Sequence, residues 1–294
     1  MNPDIIMTQE IAHLPRRADD AHKGDAGRIV VIGGACGEVM MVGAPALAAL
    51  AALRSGAGLV QVFAPESIRA AILTLVPGAT ARTLPASADA IHAALQEYQA
   101  DVVALGPGLS HSLTPQVVGQ LLAACTLPMV VDADGLNLLA AVPGLDIPDA
   151  HRIVLTPHMG EMRRLLAGRG RNVPTGSSPA TRREAACTLV DAYGCTVVLK
   201  GPGTIVTNGD RLYTNATGNS GMATAGTGDV LTGVIAALLG QRLVALEAAI
   251  LGVHLHGLAG DFAAEELGRH SLTAQDVVDY LPDAFCEHAL AESG

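Results

Sequence analysis

Apolar residues in this chain gather into short runs, each followed by a turn and then a helical repeat. Residues 28–32 (RIVVI) read as a buried strand closed by Gly33 and Gly34. Pro45 then opens an Ala- and Leu-rich helix that Gly56 can end, with Pro first and Gly last as helices prefer. Residues 59–64 form the next strand, and 101–105, 128–132 and 152–155 are further β-type runs. Strands alternating with helices predict an α/β fold with right-handed crossovers: a mainly parallel central sheet with helices on both faces. Runs at 196–200, 204–207 and 211–214 lie too close together for intervening helices. They predict an antiparallel addition at the sheet edge, with Asn208-Gly209 as a hairpin turn. From Asp229 onward the pattern is helical, notably over 243–266 and 273–291.

Residues 1–27 are polar and mixed, and predict a surface segment ahead of the core. No Pro-, Gly- or Ser-rich linker divides the rest, and 169–179 (RGRNVPTGSSP) reads as a surface loop, so one domain is expected over 1–294. A chain this long buries roughly 75% of its unfolded surface. Half the residues are apolar but only 2% are aromatic and Trp is absent, so Ala, Val, Leu and Ile must fill the core. The Ala-rich 45–53 helix suits either close core packing or an interface between subunits.

A formal charge of −10 argues against a nucleic-acid or acidic-membrane partner. The five cysteines are scattered and no C-x-x-C pair occurs, which suits reduced structural thiols better than disulfides or zinc. No basic-then-apolar leader opens the sequence, and the 45–53 run stops at Arg54-Ser55, short of a membrane span. The expected location is cytoplasmic.

Chemistry concentrates in residues 215–233, NATGNSGMATAGTGDVLTG, which run straight into an apolar helix. Small residues let backbone N–H groups converge, and a helix N-terminus adds about half an elementary positive charge. Together they make a site for phosphate and for negative charge developing during phosphoryl transfer. Asp229 is out of place in an anion site unless its carboxylate has a task, such as taking a proton from a hydroxyl. An isolated G-x-G-D is better explained by an Asp that merely complements the helix dipole, with glycines that only pack; the longer pattern changes that balance. No G-x-x-x-x-G-K-[ST] and no G-x-G-x-x-G after the first strand are present, so a P-loop or a dehydrogenase-type dinucleotide site is disfavoured. His254 and His256, two apart on a helix, would point in different directions and read as packing rather than metal ligands.

The stretch at 215–233 resembles the anion hole of ribokinase-like enzymes, and its wording is similar to one branch of them, the ADP/ATP-dependent NAD(P)H-hydrate dehydratases. Further blocks resemble that family in its order: HKGDAGRIVVIGG (22–34), GAPALAALAALRSGAGLV (43–60), ALGPGL (104–109), VVDADGLNLL (130–139), LTPHMGEMRRLL (155–166), VVLKGPGTIV (197–206) and HGLAGD (256–261). The resemblance implies that Lys200, Gly201, Pro202, Gly203, Thr204, Ala225, Gly226, Thr227 and Gly228 contact a nucleotide. It implies that Ala44, Gly108 and His158 line the substrate side, and that Asp229 contacts the hydrated nicotinamide as catalytic base. Asp132, Asn137 and Glu161 would organise phosphate, Mg²⁺ and water, with no individual metal ligand assigned. Departures from the family wording are Met159 and Ser220, where proline is usual, and Ser110, where glycine is usual.

What the resemblance implies about function is dehydration of the S-epimer of NADHX or NADPHX to NADH or NADPH, with ADP or ATP as co-substrate. Mg²⁺, a homotetramer and a separate NAD(P)HX epimerase belong to the same expectation. Two rivals use the same residues. A small-molecule kinase of this fold, acting on a thiazole, pyrimidine or sugar alcohol, would share the anion hole and Asp229. An adenine-nucleotide sensor would need no base.

Overall fold

The computed structural model describes residues 5–176 and 178–293. Ten strands are found among them: β1 (Ile6–Thr8), β2 (Arg28–Ile32), β3 (Leu59–Ala64), β4 (Thr80–Thr83) and β5 (Val102–Leu105). Then come β6 (Met129–Val131), β7 (Ile153–Leu155), β8 (Thr196–Leu199), β9 (Ile205–Thr207) and β10 (Arg211–Thr214). The helices are α1 (Gly43–Arg54), α2 (Arg69–Leu75), α3 (Ala88–Tyr98), α4 (Pro115–Ala124), α5 (Asp134–Ala140) and α6 (Met159–Gly168). They continue as α7 (Pro179–Tyr193), α8 (Thr227–Gly240), α9 (Ala245–Leu267), α10 (Ala274–Asp279) and α11 (Leu281–Ser293).

All ten strands join one sheet in the order β1-β10-β9-β8-β7-β6-β5-β2-β3-β4. Pairing is parallel from β4 across to β8, then antiparallel through β9 and β10. The expected edge addition is present, but it is not the edge. Residues 6–8, inside the segment read as surface wrapping, pair in parallel with β10. Residues 1–4 of that segment lie outside the described residues.

The run Arg28–Ile32 is apolar almost throughout because both faces of its strand are covered. Ile29 and Val31 pack with α1 and α8–α11, whereas Val30 and Ile32 pack with α3–α7. The Ala-rich α1 serves the core: Ala46, Ala48, Ala49, Ala51 and Ala52 are buried within this one chain. It lies so close to α8 that a Cβ on Gly233 would collide with the Ala48 carbonyl oxygen. α1 begins at Gly43, two residues before Pro45. The helical stretch expected over 273–291 is broken at Tyr280, which caps α10 before α11 starts. Among the described residues, no helix is long and apolar enough to cross a membrane.

The chain first adds β3 and β4 on one side of β2, then returns to place β5 on the other. The reversal makes β2 and β5 the switch point of the sheet, and ligands of open α/β sheets bind beyond the strand ends there. Gly34 N–H donates to the Pro107 carbonyl and Gly106 N–H to that of Ile32, so the turns after the two strands lie side by side.

Candidate active site

Three strands deliver the central charged groups. Asp132 follows β6 and is buried. The backbone approaches there so closely that a Cβ on Gly106 would strike the Asp132 carbonyl oxygen, and Gly106 itself has φ 124°, open only to glycine at low cost. His158 follows β7 and caps α6: its Nδ1 accepts from Gly160 N–H at 2.9 Å, while Glu161 Oε2 accepts from His158 N–H at 2.8 Å. This reciprocal capping box fixes the buried Glu161 at the same strand end. Lys200 follows β8, and its N–H donates to the Pro157 carbonyl.

Lys200 Nζ donates to Asp132 Oδ1 and stands 4.0 Å from Glu161 Oε2. Asp132 Oδ2 accepts from the buried Thr232 hydroxyl at 2.8 Å. Both oxygens of Asp132 are therefore held by protein groups, which makes it the anchor of Lys200 rather than an open ligand. Asn137 does not join this group. Its Oδ1 accepts from Arg164 Nε at 2.8 Å and its Nδ2 donates to Asp134 Oδ1.

The amino end of α8 closes the site. Gly226 precedes it with φ 94°, and no side chain caps the helix. A Cβ on Gly228 would lie 3.4 Å from Lys200 Nζ and 3.6 Å from Asp132 Oδ2, so the first turn abuts the ion pair. Asp229, half-buried, stands on that turn. Burial and then the Asp132 carboxylate push its carboxyl up to about 7, against the pull of Lys200. Burial also raises Glu161, with Lys200 opposing. Burial works against the Lys200 ammonium, but Asp132, Glu161 and Asp229 outweigh it and hold the amine above its ordinary range.

A cavity of about 510 Å³ opens beside this centre. Its walls include Lys200, Gly201, Pro202, Gly203 and Thr204, the loop 215–220, Met222, Thr227, Gly228, Leu231, Val253 and His256. The 215–220 loop is tied to α9: Asn215 Nδ2 donates to the Val253 carbonyl at 3.1 Å, and Asp261 accepts from both Gly218 N–H and Asn219 Nδ2. Of the expected nucleotide contacts, Ala225 and Gly226 are not on the cavity wall. Ala225 is exposed, and the side-chain face of Gly226 meets Leu47 and Ala274.

Ala44, Gly108 and His158 also lie off this wall. Ala44 and Gly108 meet at the switch point, where a Cβ on Gly108 would come within 3.1 Å of Ala44 Cβ. Next to them, Ser110 takes φ 46°, the left-handed backbone that the glycine usual in the family adopts freely, and its N–H donates to Asp134 Oδ2 at 2.8 Å.

Spacing alone assigned His254 and His256 to packing. His254 fits that reading, with its ring against that of His288. His256 does not. It faces the cavity, and its Nε2 meets the Thr227 carbonyl at 2.9 Å. Burial drives it down to about 4, the Thr227 carbonyl opposing, so the ring is neutral at pH 7. A carbonyl only accepts, so Nε2 carries the proton and Nδ1 is the free acceptor. Thr232 was missed too. Its signal was the second threonine of T-G-D-V-L-T, one helical turn after Gly228.

A sequence model described as NAD(P)H-hydrate dehydratase matches residues 29–283. The bifunctional NAD(P)H-hydrate repair enzyme of Moorella thermoacetica is 41% identical over 280 residues, covering 92% of this chain and 51% of that protein. This chain thus spans about half the length of such bifunctional relatives. The ADP-dependent (S)-NAD(P)H-hydrate dehydratase of Neisseria meningitidis is 38% identical, covering 86% of this chain and 82% of the relative. Among solved structures, the ADP/ATP-dependent NAD(P)H-hydrate dehydratase of Bacillus subtilis, co-crystallised with ATP/Mg²⁺, superposes with a TM-score of 0.78. It is 29% identical, with 94% of each chain covered. The ribokinase-like fold expected from the sequence is the one observed.

Proposed function

The chain belongs to the NAD(P)H-hydrate dehydratase family, and from that premise we propose that it dehydrates the S-epimer of NADHX and NADPHX at the expense of ADP or ATP. The observation that best supports the reading is the environment of Asp229. It stands on the first turn of an uncapped helix, near enough to Lys200 to feel its charge, and directly follows Gly228, which lines a cavity large enough for a nucleotide. The kinase alternative has no such support, since the relatives are named for hydrate repair.

Hydroxide is a poor leaving group, so the C6 hydroxyl of the hydrated ring must be activated. With its pKa near 7, Asp229 takes the hydroxyl proton as the oxygen attacks the terminal phosphorus of the nucleotide, and AMP (from ADP) or ADP (from ATP) departs. The amides at the start of α8 and the Lys200 ammonium stabilise charge on the transferring group. The ring nitrogen's lone pair then expels phosphate from C6, and loss of a C5 proton restores the double bond of NADH or NADPH.

Mg²⁺ fits this site only in part. Asp132 is committed to Lys200 and Thr232, and among the described residues no cluster of three or more His, Cys, Asp or Glu could hold a metal. The ion would arrive on the nucleotide phosphates, neutralising their charge, with Glu161 reaching it through water. The same reading, resting on resemblance, extends to one domain, a homotetramer, a cytoplasmic location and an epimerase supplying the S-epimer.

The test mixes purified protein with NADHX, Mg²⁺ and either ADP or ATP, and follows the return of the reduced-nicotinamide absorbance. Recovery that needs a nucleotide and stops when the S-epimer is consumed is expected. No recovery with either nucleotide, from protein that binds both, overturns the reading.

A further inference from the structure

Beneath the loop 200–204 lies a cation that the mechanism above does not use. Arg182, on α7, is buried. Its Nη1 donates to the Pro202 carbonyl at 2.7 Å, and its Nη2 to the carbonyls of Leu199 and Lys200 at 3.1 and 3.3 Å. The loop passes directly over the guanidinium: a Cβ on Gly201 would lie 2.9 Å from Nη1.

A trans peptide points its C=O and N–H in opposite directions. Drawing the Lys200 and Pro202 carbonyls down onto Arg182 therefore turns the N–H groups of Gly201 and Gly203 up and away from it. Both glycines line the cavity, and Arg182 does not. The Lys200 N–H is already taken by Pro157, and Pro202 has none, so the two glycine amides are the ones that Arg182 turns toward the cavity. Arg182 also has no carboxylate in ion-pairing distance among the described residues. A buried guanidinium bound only by carbonyls leaves positive charge under the loop, and an anion on the loop would balance it.

We propose that Arg182 is a positioning residue for nucleotide phosphate. Its planar fork sets the loop so that the Gly201 and Gly203 amides face the anion, and its charge adds to their pull. This rests on the reading that a nucleotide occupies the cavity.

The test compares wild type with Arg182→Met and Arg182→Lys by calorimetry with ADP, steady-state kinetics and thermal melting. The Met variant is expected to weaken ADP binding, and to raise KM for ADP, by about tenfold or more, while KM for NADHX moves by less than about twofold. The Lys variant, which keeps the charge but loses the fork, should recover only part of the affinity. Unchanged ADP affinity in both variants, or equal losses for ADP and NADHX, would overturn the proposal and leave Arg182 as a support of β8. Should the Met variant not fold, the Lys variant and its ADP-induced shift in melting temperature decide the same question. Wild-type protein that binds ADP but does not dehydrate NADHX sinks the dehydratase reading alone, because ADP affinity decides this one.

Discussion

Lys200 and Asp132, 68 residues apart in sequence, pair between the ends of β8 and β6, while Thr232 of α8 holds the second oxygen of the same carboxylate. The pair ties two strands and a helix at the point where the cavity meets the first turn of α8. The ammonium is thereby locked in place beside that helix end.

Removing one partner strands the other. Lys200→Met leaves the buried Asp132 without its cation and is expected to cost about 3–5 kcal/mol of stability. Because the two residues share one interaction, adding Asp132→Asn should give back part of that loss rather than double it. Urea unfolding of both single variants and the double variant checks this, and additive losses would show that the pair is not coupled.

Asp229→Asn is expected to lower kcat by at least about 10²-fold with ADP binding retained. In wild type, activity should rise as pH passes through about 7, because only the carboxylate can take the proton. The folded protein binds this proton more tightly than the unfolded chain, whose carboxyl titrates near 4, so ionisation costs stability as pH climbs from about 4 to 7. Melting curves should accordingly show the Asn variant gaining on wild type between those pH values. A constant difference between the two curves would place the carboxyl at its ordinary pKa.

His256 reverses that slope. Burial lowers it to about 4, against an ordinary value near 6.5, so the unfolded chain takes up the proton first and stability falls as pH drops through this window. His256→Gln should flatten the acid side of the stability profile. An imidazole resonance that titrates near 6.5 in the folded protein would contradict the placement.

Two glycines at the start of α8 should answer differently to alanine. Gly226 has φ 94°, and its Cβ would lie 2.6 Å from Leu47 Cδ1, so Gly226→Ala is expected to cost about 1–3 kcal/mol. Gly228 has room for a Cβ at ordinary contact distance from Lys200, so Gly228→Ala should melt near wild type yet bind ADP more weakly. Melting and ADP titration of both variants separate the effects, and equal ADP affinities for Gly228→Ala and wild type would remove the phosphate from that helix end.

The central strands were legible because a strand covered on both faces must be apolar at nearly every position, as in Arg28–Ile32. The edges were not. β4 is T-A-R-T with no fully buried residue, and β1 is only three residues long with Ile6 and Met7 exposed, so neither has the covered faces that mark the central strands. Each pairs only because its neighbour offers free backbone groups.

Local spacing by itself determined the α/β class, the strand-end positions of Asp132, His158 and Lys200, and the small-residue turn before α8, because turns, caps and buried runs are written in adjacent residues. Only the tertiary structure decided what those residues do to one another. It committed Asp132 to Lys200, sent Asn137 to Arg164, brought His256 to the cavity and set Arg182 under the loop 200–204. These pairings join residues from different elements, and the distances that govern charge and hydrogen bonding exist only once the sheet has ordered its strands.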